Sequence, residues 1–117
     1  MFTHNERFNE KFKDLKRINE GQVRYYSVDP DLIYPSVTSI ISFISRKKFA
    51  DWRAKVGNEE ANRKTKHATT RGTRLHSVFE HYLKNEDYEA LEEYQIPLIQ
   101  LMFKAAKFYL DTRIDNI

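Results

Sequence analysis

The chain has 117 residues, 40% hydrophobic and 32% charged, with eight Phe, seven Tyr and one Trp. That apolar content excludes global disorder, and the length fits one domain with little room for a second. The absence of cysteine excludes disulfides and thiolate metal sites, so any metal would rest on His, Asp and Glu.

The net charge of +3 is small but unevenly spread. Residues 46–74 hold ten Lys and Arg against three acids, a net of +7, whereas residues 1–45 balance and residues 75–117 carry −4. A positive segment of that density is the footprint of a polyanion binder; its ordinary alternative is a solvated helix surface. No apolar run reaches membrane-spanning length, and the first seven residues lack the basic-then-apolar order of a signal peptide. The expectation is a cytoplasmic protein with no membrane partner.

Phe8, Phe12, Leu15 and Ile18 recur at helical spacing and predict an amphipathic helix within residues 1–21, stopped by Gly21. The string Asp14-Leu15-Lys16 falls inside it, and on a helix positions i and i+2 point roughly 160° apart, so no shared-face Asp/Lys pair is expected. Residues 22–35 predict a β-hairpin. Gln22–Val28 alternates and is rich in β-branched and aromatic residues, Asp29-Pro30-Asp31 turns the chain, and Leu32-Ile33-Tyr34 resumes before Pro35.

Ser36 is a natural N-cap for a helix through about Ile44, with Val37, Ile40, Ile41 and Ile44 as its buried stripe. Ser45–Lys48 reads as a basic connector and Phe49–Val56 as a short helix closed by Gly57. Trp52, set among cations, is more readily a core anchor than a base-stacking platform. Asn58 caps the next helix, Glu59 and Glu60 suit its first turn, and Arg63, Lys64, Lys66 and His67 make it solvent- or phosphate-facing.

In Arg71-Gly72-Thr73-Arg74-Leu75-His76-Ser77-Val78-Phe79-Glu80, Gly72 is expected to end one helical run and Thr73 to cap the next. His76 and Glu80 are four residues apart and share a face. The apolar residues Leu75, Val78, Phe79, Tyr82 and Leu83 lead us to expect both at or beside the buried stripe. An ordinary surface His/Glu pair is the alternative. Asn85-Glu86-Asp87 then stops the helix, and residues 88–114 read as helical, with Leu91, Tyr94, Leu98, Leu101, Ala105 and Phe108 as core stripe, widened by Met102 and Tyr109, and Pro97 as a fresh start.

Gly72-Thr73-x-x-His76-x-x-x-Glu80 resembles the first motif of the RecB-like branch of the PD-(D/E)XK nucleases, especially phage exonucleases and mitochondrial genome maintenance exonucleases. A second similar segment lies upstream, in Tyr34-Pro35-Ser36-Val37-Thr38-Ser39-Ile40-Ile41 followed by Trp52-Arg53 and Gly57–Ala61. The likeness covers roughly residues 24–85 and implies a metal-dependent DNA exonuclease of replication, recombination or repair in a bacterial or phage-infected cell. It implies Mg²⁺ or Mn²⁺ as cofactor, with His76 as metal ligand and His76 and Glu80 as catalytic residues. It also implies phosphate contacts from Ser36, Thr38, Arg46, Lys47, Lys48, Arg53, Arg63, Lys64, Lys66, Arg71, Thr73 and Arg74. The partner would be DNA, single-stranded or at its ends.

The family's remaining parts, an Asp on one strand and (Asp/Glu)-x-Lys on the next, follow the His/Glu helix. Here residues 81–117 read as helix and carry neither. The expectation is therefore an α+β, mostly helical chain, the N-terminal portion of a restriction-endonuclease-like fold whose central sheet is largely missing. It would be inactive alone, and a second chain carrying the catalytic half is a possible partner. Two other readings stay open: a non-enzymatic helical DNA-binding module using residues 46–74, and a small helical protein-interaction domain using Leu91–Phe108.

Overall fold

The computed structural model describes residues 1–117, the side chain of Phe8 excepted. The fold is α+β and mostly helical, with one three-stranded antiparallel sheet in the order β1-β2-β3. Its contacts gather into two compact units, Glu6–Ala61 and Met1–Asn5 with Asn62–Ile117. Among the described residues no helix is long and apolar enough to cross a membrane.

The Glu6–Ala61 unit begins with a short helix, α1 (Glu6–Phe12), followed by β1 (Lys16–Glu20), β2 (Val23–Asp29), β3 (Leu32–Pro35) and α2 (Val37–Val56). The hairpin expected over residues 22–35 is present as β2 and β3, with an irregularity in register between Ser27 and Asp29. The helix expected to reach Gly21 instead stops at Phe12. Phe8, part of its stripe, has its side chain outside the described residues. Ile18 faces Tyr25 across β1 and β2, and Gly21, at φ 59°, makes the turn between those strands rather than ending a helix. A strand rich in Val and Tyr gains a second pairing partner this way, which outweighs the helical spacing of a few apolar residues. Asp14-Leu15-Lys16 is not helical: Lys16 opens β1 while Asp14 stays in the turn before it, so the two do not share a strand face.

Ser36 caps α2 as expected, its Oγ accepting from the Ser39 N–H at 3.1 Å. Ser39 Oγ accepts from the Arg24 N–H at 3.0 Å, and the Ser36 N–H donates to the Arg24 carbonyl at 2.7 Å, so the start of α2 is tied to β2. The basic connector expected at Ser45–Lys48 is continuous helix. Lys and Arg are good helix formers, and neither Gly nor Pro interrupts the run. Gly57, at φ 87°, ends α2 with its N–H on the Arg53 carbonyl. The stripe Val37, Ile40, Ile41 and Ile44 is not buried: these residues are 46–72% exposed. Trp52 is half-buried with its ring 5.4 Å from that of Phe49.

Helix α3 (Asn58–Leu83) runs 26 residues without a break. Asn58 is its first residue rather than a flanking cap, and Gly72 and Thr73 lie inside it rather than at a boundary. One glycine costs a helix only about 1 kcal/mol, too little to split a run flanked by strong helix formers. The helix ends at Leu83; Asn85, in the turn beyond it, takes φ 59°, and the Glu86 N–H bonds back to the His81 carbonyl at 2.9 Å.

Residues 88–91 are irregular, a 3-10 turn follows at Glu92–Gln95, and α4 (Pro97–Arg113) starts with proline in its first turn as expected. Val78 of α3 with Ile99 and Phe103 of α4 forms the core of this unit. The Phe103 ring lies 5.2 Å from Phe79, 5.3 Å from Tyr82, 4.8 Å from Tyr88 and 5.8 Å from Tyr94. The face of α4 chosen from sequence is thus the wrong one: Leu98, Leu101 and Phe108 are exposed, and Ile99 and Phe103 are buried. The N-terminal segment closes the unit. Asn85 clamps the Phe2 backbone with two hydrogen bonds of 2.8 Å, and Thr3 bridges to Asn116.

Candidate nucleic-acid interface

At 3.6 residues per turn, Arg63, His67, Arg71 and Arg74 lie on the side of α3 that further along carries Val78. The face that packs the core in the second half of the helix is therefore basic in the first half. Arg63, Lys64, His67, Ala68 and Arg71 line one shallow cleft. His67, Thr70, Arg71 and Arg74 line the next, against Ile96, Leu98 and Ile99 from the start of α4. Because His67 and Arg71 belong to both, the clefts join into one groove with a basic wall and an apolar one. Among the described residues Arg71 and Arg74 make no ion pair, so their charges face solvent.

His76 and Glu80 do share a face, but not the expected one. They lie roughly 160° round α3 from Val78, and Thr73 lies near them. Both are exposed, which corrects the expectation that they lie at or beside the buried stripe. Leu75 and Phe79 are half-buried and lie between Val78 and His76 round the helix, so the stripe ends short of the pair. Glu80 accepts from Lys84 Nζ at 2.6 Å. That hydrogen bond and the lysine's charge hold the Glu80 carboxyl below its ordinary range and raise Lys84 in turn.

The remaining expected phosphate contacts divide further. Lys66 points away from the groove, toward the side of Thr73 and Glu80. On α2, Arg46 and Arg53 lie on one side and Lys48 and Lys55 on the opposite one. Arg46 sits 5.6 Å over the Phe43 ring, Arg53 lies 5.9 Å over Phe49 and donates to Asn58 Oδ1 at 3.3 Å, and Lys47 pairs with Asp51 at 3.3 Å. Ser36 is buried and its hydroxyl is taken up by the cap, where it donates to Ser39 Oγ at 2.9 Å, so it is not placed to receive a phosphate. Thr38 is exposed. The sequence marked His67 with Arg63, Lys64 and Lys66 as solvent- or phosphate-facing but did not count it among the phosphate contacts, although it stands four residues from both Arg63 and Arg71; Thr70 was not expected, and the apolar wall from Ile96 to Ile99 depends on tertiary packing.

The Mg²⁺ or Mn²⁺ that the resemblance implies finds no fit in these residues alone. One exposed imidazole and one carboxylate already bonded to a lysine leave most of a hard cation's oxygen shell unfilled. Among the described residues no group of three His, Asp or Glu side chains could hold a metal ion. No protein-family model matches the chain, and no curated protein or solved structure is significantly similar to it.

Proposed function

We propose that the chain is the DNA-gripping N-terminal portion of a RecB-like, metal-dependent exonuclease, and that it holds phosphates along the α3 groove. The observation that supports this reading is the single-sided array of Arg63, His67, Arg71 and Arg74, in which, among the described residues, Arg71 and Arg74 make no ion pair. Guanidinium forks suit phosphate oxygens, and the apolar wall suits sugar and base surfaces. His76 and Glu80 are the half-site that the family's strand carboxylates would complete. A non-enzymatic DNA-binding module is the second reading, favoured by the separation of His76 from the basic groove.

Fluorescence anisotropy with a labelled single strand tests the groove. Binding should weaken steeply with salt, with a log–log slope of about −3 for four or five phosphate contacts. The double reversal Arg71→Glu/Arg74→Glu should weaken binding at least tenfold and flatten the slope, whereas Lys66→Glu, on the far side of the helix, should do much less. Salt-independent binding, or equal losses from both variants, would remove the groove from the reading.

A further inference from the structure

Helix α4 has two apolar sides. One is buried through Ile99 and Phe103, each 1% exposed; the other shows Leu98, Leu101, Phe108 and Tyr109 to solvent at 49%, 67%, 67% and 57%. Through Ala105 and Thr112 the exposed residues 101, 105, 108 and 112 repeat at spacings of four, three and four, the pattern of a helix-pairing seam, while Leu98 belongs to the basic groove. Monomers seldom leave such a continuous strip uncovered.

The flanks of the strip indicate what covers it. One carries Met102 and Tyr109. The other carries a cation and an anion seven residues apart, Lys104 and Asp111. A surface bearing both signs in this order offers little to a uniformly charged partner, whether nucleic acid or anionic lipid. It is complementary to itself when reversed. If two α4 helices run antiparallel with Ala105 of one against Phe108 of the other, Leu101 meets Thr112 and each Lys104 meets the other copy's Asp111. The small Ala105 admits the large Phe108 ring twice, once on each side of the two-fold axis. Asp111 is already fixed for this contact, because Tyr82 Oη donates to one of its oxygens and Lys107 Nζ to the other at 2.5 Å. Its carboxylate still has acceptor positions to spare. We propose that α4 is a homodimerisation helix that pairs antiparallel with α4 of a second copy.

The seam is about two heptads long, so the dimer should be weak, forming at tens of micromolar and dissociating near one micromolar. Sedimentation of the full chain across that range should show the mass shift, and Leu101→Lys or Phe108→Lys should abolish it; as both residues are exposed, an unchanged circular dichroism spectrum will show that the variants fold. Orientation is tested separately, since the chain has no cysteine of its own. On mixing Ala105→Cys with Phe108→Cys chains under mild oxidation, the mixed disulfide should exceed either homodisulfide several-fold. Predominant homodisulfides would mean a parallel pair, and a monomer at every concentration would mean no pair; either result overturns the proposal.

Discussion

Gly72 illustrates how a residue can be informative for a reason other than the one its type suggests. It lies inside α3, and a methyl group added there would meet no atom within 4 Å. Gly72→Ala should therefore stabilise the protein by about 0.5–1 kcal/mol through lower unfolded-state entropy and better helix propensity. Chemical denaturation measures this directly, and a loss of stability would show that the backbone near Gly72 packs more tightly than the fold indicates. Asp111 couples acid stability to its contacts with Tyr82 and Lys107. Its hydrogen bonds from Lys107 and Tyr82 hold its carboxyl below the ordinary range, while Lys107 is raised by the same contact. A lowered carboxylate adds stability above its unfolded value, and that stability is lost as pH falls through the folded value. The melting temperature should thus be level near neutrality and fall below about pH 4, and Asp111→Asn should shrink that fall. An acid limb of equal depth in wild type and variant would assign the loss to other carboxylates.

The elements differ sharply in how much they bury, and this sets where substitutions matter. Phe103 touches four aromatic rings and is 1% exposed, so Phe103→Ala should cost about 3–5 kcal/mol and loosen the packing of Met1–Asn5 with Asn62–Ile117. Ile41 on α2, 55% exposed, has the same helical spacing as a core residue, yet Ile41→Asp should change stability by less than about 1 kcal/mol. Thermal melts of the two variants decide the matter; a severe loss from Ile41→Asp would mean that the apolar face of α2 is covered in solution. The same bookkeeping explains α4. A helix apolar on both sides can present either one to the core, and only the fit of Phe103 among Phe79, Tyr82, Tyr88 and Tyr94 selects between them.

The 117-residue chain should neither hold Mg²⁺ or Mn²⁺ tightly nor cleave DNA, as calorimetry and a nuclease assay would record. In a chain extended by the Asp and (Asp/Glu)-x-Lys strands of the nuclease family proposed for it, metal-dependent cleavage should appear. There His76→Ala should lower cleavage about 100-fold while leaving DNA binding within a few-fold. Undiminished cleavage by that variant would remove His76 from the proposed site, and cleavage by the unextended chain would reveal a site outside the residues considered.

Local physics was legible in the sequence. The hairpin of β2 and β3 follows from alternating β-branched and aromatic residues, the Ser36 cap from a hydroxyl before a helical run, and the Gly57 stop from its freedom at positive φ. The +7 segment announced a basic surface because charge counts do not depend on packing. What the sequence could not decide was which side of each helix meets other atoms. Periodicity defines a stripe but not its partner, so the exposed stripe of α2, the inverted α4 and the outward turn of His76 and Glu80 all required tertiary contacts to be known. The short helix ending at Phe12 fell to the same rule: a strand exists only when another strand pairs with it, and β1 is held by its register against β2 rather than by its own composition.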